Sequence, residues 1–200
     1  MDTIEIVRSQ VAESVRVKHA ILSDETLLAK INEAANKCAE AYRRGNKVLF
    51  AGNGGSAADA QHLAGELVSK FYFDRPAVPA IALTTDTSVM TAIGNDYGFD
   101  LLFSRQVEAH GVEGDIFVGI STSGNSRNVV RAVERCHELG VYTIGLVGSK
   151  PCRMDEICDL TIKIPSDETP RIQECQTLIG HIICCIVEEI IFGEKYKNVR

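Results

Sequence analysis

The sequence lacks several features that mark familiar classes of protein. Its seven cysteines, an odd number, include no C-x-x-C pair, so neither a zinc ribbon nor a thioredoxin-like motif is predicted. The net charge of −6 argues against a nucleic-acid-binding surface. The first helix-like stretch is charged throughout, unlike a secretory signal, and the longest apolar run, Ile182 to Val187, is too short to cross a membrane. We therefore expect a cytoplasmic protein with reduced thiols that binds neither nucleic acid nor membrane.

Two common nucleotide-binding fingerprints are also missing. The segment Gly52-Asn53-Gly54-Gly55 does not have the G-x-G-x-x-G spacing of a dinucleotide site. No Gly-Lys-Ser or Gly-Lys-Thr follows it, so it is not a P-loop either. A ligand bound here is therefore expected to be a small phosphorylated metabolite and not a nucleotide.

The chain instead shows strand patterns that alternate with helix patterns. A single domain over residues 1–200 is expected, because this length holds one sizeable core and no linker or repeat interrupts it. The alternation predicts an α/β fold: a three-layer, doubly wound sandwich around a mostly parallel sheet of about five strands. The strands are expected near 47–51, 79–83, 115–118, 141–147 and 160–164, and the final helix near 170–192, followed by a fraying tail from Glu194.

A helical hairpin is predicted to precede the sheet, over residues 1–45. Its first helix carries apolar residues at helical spacing, namely Ile4, Val7, Val11, Val15 and Leu22. Such a face packs either on a partner subunit or on the chain's own sheet, and the pattern allows both.

A serine-rich loop lies between a predicted strand end and a predicted helix start. It carries four hydroxyl groups within six residues, those of Ser121, Thr122, Ser123 and Ser126. Together with backbone N–H groups and the helix N-terminus, these hydroxyls form a typical phosphate site. The ordinary alternative is that Ser126 simply caps the helix. Four hydroxyls exceed what capping needs, which favours the phosphate site.

A second turn of this kind follows the first predicted strand, at residues 52–56. Ser56 and Asp59 have the S-x-x-D spacing of a helix start. In a parallel sheet, ligands bind beyond the carboxyl ends of the strands, where both turns are expected to lie. Two such turns at one edge strengthen the prediction of a phosphorylated ligand.

Two pairs of residues could carry chemistry beside these turns. His62 and Glu66 are four residues apart, so they share a helix face and could hold a metal ion, act as an acid–base pair, or form a plain surface pair. Gln173 and His181 are eight apart, about 12 Å along a helix, which is near the limit for one shared ion. Spacing alone favours His181 as a core or interface histidine.

Four motifs, in this order and spacing, carry a resemblance to a known family. They are Gly52-Asn53-Gly54-Gly55-Ser56-Ala57-Ala58-Asp59-Ala60-Gln61-His62, Ala92-Ile93-Gly94-Asn95-Asp96-Tyr97-Gly98-Phe99, Gly119-Ile120-Ser121-Thr122-Ser123-Gly124-Asn125-Ser126 and Pro170-Arg171-Ile172-Gln173-Glu174. The sequence resembles the phosphoheptose isomerase family, which has the sugar-isomerase (SIS) fold, over nearly its whole length.

The resemblance implies an activity and a set of site residues. Family members convert sedoheptulose 7-phosphate to D-glycero-D-manno-heptose 7-phosphate, the first step toward the heptose of lipopolysaccharide and related glycans. They are homotetramers with active sites between subunits, and each site holds one Zn²⁺. The resemblance therefore implies that the leading helices, residues 1–45, are part of the oligomer interface. The resemblance implies Glu66 and His181 as acid–base residues. The implied zinc ligands are His62, Glu66, Gln173 and His181. The implied substrate-binding residues are Asn53, Gly54, Gly55, Ser56, Glu66, Asn95, Asp96, Ser121, Thr122, Ser123, Ser126 and Gln173.

A non-catalytic function is the alternative. One relative with the same serine loop binds a replication initiator, and other SIS domains sense sugar phosphates. That initiator-binding relative lacks counterparts of Glu66 and His181, so the presence of both residues here favours an enzyme. One departure is Gln176, which stands where many relatives have a histidine. It lies outside the implied catalytic and metal-binding set.

Overall fold

A computed structural model describes residues 2–196 of the chain. Within that range it contains eight α-helices, five β-strands and a short 3₁₀ helix at Phe99–Leu101. The elements, in chain order, are α1 (Thr3–Leu22), α2 (Glu25–Arg43), β1 (Val48–Gly52), α3 (Gly55–Val68), β2 (Ala80–Ala82), α4 (Thr87–Asp96), α5 (Ser104–His110), β3 (Ile116–Ile120), α6 (Arg127–Glu138), β4 (Tyr142–Val147), α7 (Arg153–Ile157), β5 (Leu160–Lys163) and α8 (Thr169–Tyr196).

The five strands form one parallel sheet in the order β2-β1-β3-β4-β5. Every residue of β1 and β3 is buried, as expected for central parallel strands covered on both faces. The predicted fold class, with its leading helical hairpin, is therefore confirmed.

Helices cover both faces of the sheet. Because successive strand residues point to opposite faces, Phe50 and Val118 pack with α1, α2, α3 and α8. Leu49 and Phe117 point the other way and pack with α4, α5, α6 and α7. The result is the three-layer arrangement that the sequence predicts.

The buried residues of the first helix lie in its second half. Val17 and Ile21 are buried. The predicted apolar face is exposed in the single chain, with 57–60% of Val7, Val11 and Val15 accessible. The structure thus removes the option that this face packs on the chain's own sheet, and the prediction that residues 1–45 form an oligomer interface stays open.

Helix α8 is the longest element and packs against α2, α3 and α1. It continues to Tyr196, so the predicted end near residue 192 is wrong, and the prediction that the tail frays from Glu194 stays a prediction. The rest of the predicted tail lies outside the described residues.

By length and composition α8 could span a membrane, contrary to the expectation from short apolar runs. Core helices of globular domains share that composition, and 44% of its most apolar window is buried here.

A buried carboxylate, Asp115, organises the amino-terminal edge of the sheet. Its side chain is inaccessible to solvent and forms an ion pair with Lys47 at 2.6 Å. The backbone N–H groups of Lys47 and Val112 and the amide of Asn46 also donate hydrogen bonds to it. Asp115 therefore joins the starts of β1 and β3, at the edge opposite the glycine-rich turns.

We expect Asp115→Asn to lower the free energy of unfolding at pH 7 by about 2 kcal/mol, since hydrogen bonds to a charged group contribute roughly 1.5–3 kcal/mol. Burial alone would raise the pKa of Asp115, but the hydrogen bonds from Lys47, Val112 and Asn46 outweigh burial and hold this pKa below its ordinary value. A pKa lowered by folding stabilises the protein above the unfolded-state pKa, and this stabilisation is lost as the pH falls below about 4.

Urea unfolding of both proteins at pH 7 and pH 3 measures this effect. The stability difference between wild type and Asp115→Asn should shrink at pH 3. An equal difference at both pH values would contradict the role of the charged carboxylate.

Candidate active site

The two glycine-rich turns lie side by side at the carboxyl edge of the sheet. Strands β1 and β3 are neighbours, and Gly52 is in register with Ile120. The turn after β1 and the loop after β3 therefore start from adjacent strand ends, at the one sheet edge that the sequence predicts for both.

Three hydroxyl groups converge within the serine loop, which we define as residues 121–126. The Ser121 Oγ atom lies 2.9 Å from Ser126 Oγ and 3.5 Å from Ser123 Oγ. Ser126 stands at the N-cap position of α6, but its side chain makes no capping hydrogen bond. The capping interpretation is therefore wrong for its hydroxyl. Three hydroxyls beside a helix N-terminus provide donors for an anionic oxygen group.

A cavity of about 250 Å³ opens beside this loop. It is bounded by the serine loop, the turn after β4 and the start of α8, and it is lined by Thr122, Ser123, Asn125, Gly148, Ser149, Lys150, Pro151, Ser166, Asp167, Thr169 and Ile172. Its hydroxyl groups suit a polar small molecule, and its two charged residues, Lys150 and Asp167, pair with each other at 3.5 Å.

An amide pair that sequence reasoning missed links the two turns. Asn53 and Asn128 donate to each other through their side-chain amides, both at 2.8 Å. Asn128 is 2% exposed, and its Oδ1 also accepts from the N–H of Val129. Nothing in the local pattern of α6 marks Asn128, because its partner lies 75 residues away. The pair fixes the side chain of Asn53 relative to the serine loop.

Helices α3 and α8 run side by side in the same direction. The side-chain amide of Gln173 on α8 lies so close to Gly55 on α3 that a Cβ added at Gly55 would collide with it. Thr177 Oγ1 donates to Asp59 at 2.7 Å. His181 then meets His62. Each step along one helix is matched by a step along the other, and we call this line of contacts the α3–α8 seam.

The lower end of the seam brings together a cluster that we name by its members, His62, Glu66 and His181. The two imidazole Nε2 atoms lie 2.7 Å apart, and His62 Nε2 lies 3.4 Å from Glu66 Oε1. Their ligand atoms all lie within 4.8 Å of one another. His181 is thus not merely a core histidine, as its spacing alone suggests, and His62 and Glu66 are not an isolated surface pair.

The donor set of this cluster fits a divalent transition-metal ion. Ligand atoms on a tetrahedral ion with bonds of about 2.05 Å lie about 3.3 Å apart. The His62–Glu66 distance of 3.4 Å already matches this value. The two imidazole nitrogens, 2.7 Å apart, would have to separate by about 0.6 Å to reach it. Two imidazole nitrogens and one carboxylate oxygen leave a fourth position for another ligand.

The remaining predicted site residues lie at different distances from this cluster. Gln173 reaches the glycine-rich turn, about two helical turns above His181. Ser56 is buried in the first turn of α3, which starts at Gly55 with Gly54 as its N-cap, so the predicted S-x-x-D cap is not formed. Asn95 and Asp96 end α4, exposed and hydrogen bonded to each other at 2.7 Å. Within residues 2–196, no recorded hydrogen bond joins that pair to the serine loop or the cluster.

Comparison with known proteins gives consistent relatives. Residues 11–148 match the family model of the SIS domain. The phosphoheptose isomerase of Aneurinibacillus thermoaerophilus is 59% identical, and the match covers 97% of this chain and 98% of that protein.

Two solved structures are similar over the same range. A phosphoheptose isomerase from Francisella tularensis has a TM-score of 0.91 at 37% identity, and the match covers 94% of this chain and 100% of that one. The phosphoheptose isomerase from Neisseria gonorrhoeae has a TM-score of 0.88 at 42% identity, with 94% and 99% covered. The likeness therefore includes the leading helices and α8 as well as the sheet.

We predict that the chain binds one Co²⁺ ion, used here as a spectroscopic probe, through the His62, Glu66 and His181 cluster. His62→Ala and His181→Ala should each lower the Co²⁺ affinity at least tenfold, because each removes one of few donors. Titration followed by the visible absorbance of the bound ion measures this affinity. The matched control is His110→Ala, at the exposed end of α5, which should bind Co²⁺ as wild type does. Equal affinity in all four proteins would place the ion elsewhere.

Proposed function

Because the chain belongs to the phosphoheptose isomerase family of SIS-domain proteins, we propose that it converts sedoheptulose 7-phosphate to D-glycero-D-manno-heptose 7-phosphate. It is an aldose–ketose isomerase. The single observation from the site itself that supports the substrate assignment is the α3–α8 seam. It leads from the glycine-rich turn at the carboxyl edge of the sheet to the His62, Glu66 and His181 cluster. A sugar phosphate needs one part of the site to bind its phosphate and another part to act on its reacting carbon atoms.

The phosphate end of the substrate is proposed to bind the serine loop. The converging hydroxyls of Ser121, Ser123 and Ser126 support this, as does the N-terminus of α6. Thr122 lines the adjacent cavity. The sugar hydroxyls are proposed to contact the turn at Asn53, Gly54, Gly55 and Ser56, together with Gln173, Asn95 and Asp96.

Isomerisation moves a proton between neighbouring carbons through an enediol(ate), which requires a base and a group that transfers protons on oxygen. We assign the carbon proton to Glu66 and the oxygen proton to His181. Both are polar groups at the end of the seam, and Glu66 is only partly exposed, which limits access of water to its carboxylate. The two carboxylate oxygens of Glu66 allow one to accept a proton while the other keeps its contact with His62.

Zn²⁺ is the proposed metal, with His62, Glu66 and His181 as ligands and Gln173 as the fourth. When bound, it supplies a positive charge that stabilises developing negative charge on the substrate oxygens. The Gln173 amide contacts Gly55 in the structure, so its ligand role requires the side chain to turn toward His181.

A non-catalytic binding role is not favoured. Relatives that are 50–59% identical over nearly the whole chain are named phosphoheptose isomerase. We further propose a cytoplasmic homotetramer with active sites between subunits that supplies heptose for lipopolysaccharide or a related glycan. The exposed apolar face of α1 supports a partner subunit there.

A direct assay tests the function. The purified, zinc-loaded protein is incubated with sedoheptulose 7-phosphate, with and without a chelator, and the sugar is followed by NMR. We expect the aldose product to form, and to form more slowly after chelation. No product from the zinc-loaded protein would contradict the proposed reaction.

Replacement of the proposed base tests its role. Glu66→Gln should lower kcat by about 10³-fold, because general acid–base catalysis contributes roughly 10²–10⁴-fold, whereas KM should change little. Steady-state kinetics measure both constants. Glu40→Gln, on the exposed face of α2, is the control and should leave both unchanged. A Glu66→Gln enzyme with full kcat would exclude Glu66 as the base.

Removal of two hydroxyls tests the phosphate site. Ser121→Ala combined with Ser123→Ala should raise KM by about 100-fold, since two hydrogen bonds to a charged group contribute roughly 3 kcal/mol together and 1.4 kcal/mol corresponds to tenfold. The control Ser88→Ala changes an exposed serine on α4. If the KM of the double variant matched that of the control, the phosphate would bind elsewhere.

A further inference from the structure

A buried ion pair lies just beyond the His62, Glu66 and His181 cluster. Arg75 Nε donates to Glu188 Oε1 at 2.9 Å, and each side chain is only 1% exposed. Arg75 belongs to the loop that follows α3, and Glu188 lies on α8. The pair therefore joins the same two helices as the seam.

Glu188 holds the loop through its backbone. Its carboxylate accepts the N–H groups of Phe71 at 2.9 Å, Tyr72 at 2.5 Å and Phe73 at 3.1 Å. Three consecutive N–H donors directed at one carboxylate fix the path of that loop, because each is a charge-assisted hydrogen bond.

Arg75 holds the end of α3 in the same way. Its Nη1 atom donates to the carbonyl oxygens of Leu67 at 2.7 Å, Ser69 at 3.0 Å and Pro76 at 3.2 Å. Its Nη2 atom donates to the carbonyl of Glu66 at 3.0 Å. The guanidinium thus contacts the backbone of a cluster residue directly.

The loop in turn contacts the other cluster residue. The ring of Phe71 packs against the ring of His181, with centroids 5.6 Å apart. Glu188 follows His181 by seven residues, about two turns of α8, and so lies on the same helix face. One buried charge pair thereby touches the backbone of Glu66 and, through Phe71, one face of the His181 imidazole.

We propose that Arg75 and Glu188 are positioning residues that hold Glu66 and His181 at their reacting separation. Only the expected change in kcat rests on the proposed isomerase function; the expected change in Zn²⁺ affinity does not. An ordinary structural role is the alternative, because removing one partner of any buried pair is destabilising. The two roles differ in what they change: a positioning role alters the cluster in molecules that are still folded.

Glu188→Gln tests the proposal, with Asp115→Asn as a matched control. Both residues are buried carboxylates that accept backbone N–H groups and one cationic side chain, but Asp115 lies at the opposite edge of the sheet. In folded Glu188→Gln we expect kcat to fall about 10–100-fold and the Zn²⁺ affinity to fall by a similar factor, as for other residues that orient metal ligands. KM should stay within about threefold, since the serine loop is unaffected. Asp115→Asn should lose stability but keep wild-type kcat and Zn²⁺ affinity.

A milder variant decides the question if Glu188→Gln does not fold. Phe71→Leu keeps an apolar side chain on the loop and removes only the ring that contacts His181. We expect the same loss of kcat and Zn²⁺ affinity with a small change in melting temperature. Wild-type kcat and Zn²⁺ affinity in the folded variants would overturn the positioning role.

Zn²⁺ affinity, measured by competition with a chromogenic chelator, separates this proposal from the proposed function. An inactive wild type with weakened Zn²⁺ binding in Glu188→Gln would overturn the isomerase assignment and keep the positioning role. If the wild type is active but Glu188→Gln keeps the wild-type Zn²⁺ affinity and kcat, the isomerase assignment stands and the positioning role is overturned.

Discussion

The close contact of α3 with α8 is the constraint on which the site depends. A Cβ added to Gly180 would lie 2.5 Å from the Leu63 side chain, so the absence of a side chain at Gly180 lets Leu63 of α3 pack directly on the backbone of α8. At this separation Thr177 reaches Asp59, and one step further His181 reaches His62. A wider spacing would leave the imidazole of His181 without a partner on α3. The functional residues therefore depend on a helix contact made possible by one glycine.

The site has two parts with different structural origins. The serine loop follows directly from a strand end, because parallel strands place their carboxyl ends at one edge and helix N-termini above it. The His62, Glu66 and His181 cluster lies on helix sides, away from that edge. Asn128 and Asn53 fix the first part by a paired amide contact. Arg75 and Glu188 lie at the other end, where the loop after α3 meets α8.

Much of the fold and part of the site follow from the sequence pattern. The strands and the serine loop are marked by apolar runs with turns after them, which are local signals, and the alternation of strands with helices indicates that the sheet is parallel. The contact that His181 makes is not local in sequence. Residue spacing along α8 relates His181 to Gln173 on the same helix, whereas the residue that His181 contacts, His62, lies on α3, 119 residues away. Only the resemblance to a family grouped these residues. Asn128 and Glu188 escaped prediction for the same reason, since their hydrogen bonds join segments distant in sequence.

The most direct test of a single substrate bridging both parts is a crystal structure of the zinc-loaded Glu66→Gln protein with sedoheptulose 7-phosphate. The predicted result has the phosphate within hydrogen-bond distance of Ser121, Ser123 and Ser126, and the first two carbons of the sugar beside residue 66 and His181. A phosphate bound away from the serine loop would contradict this arrangement. So would a sugar whose carbonyl end does not reach the cluster.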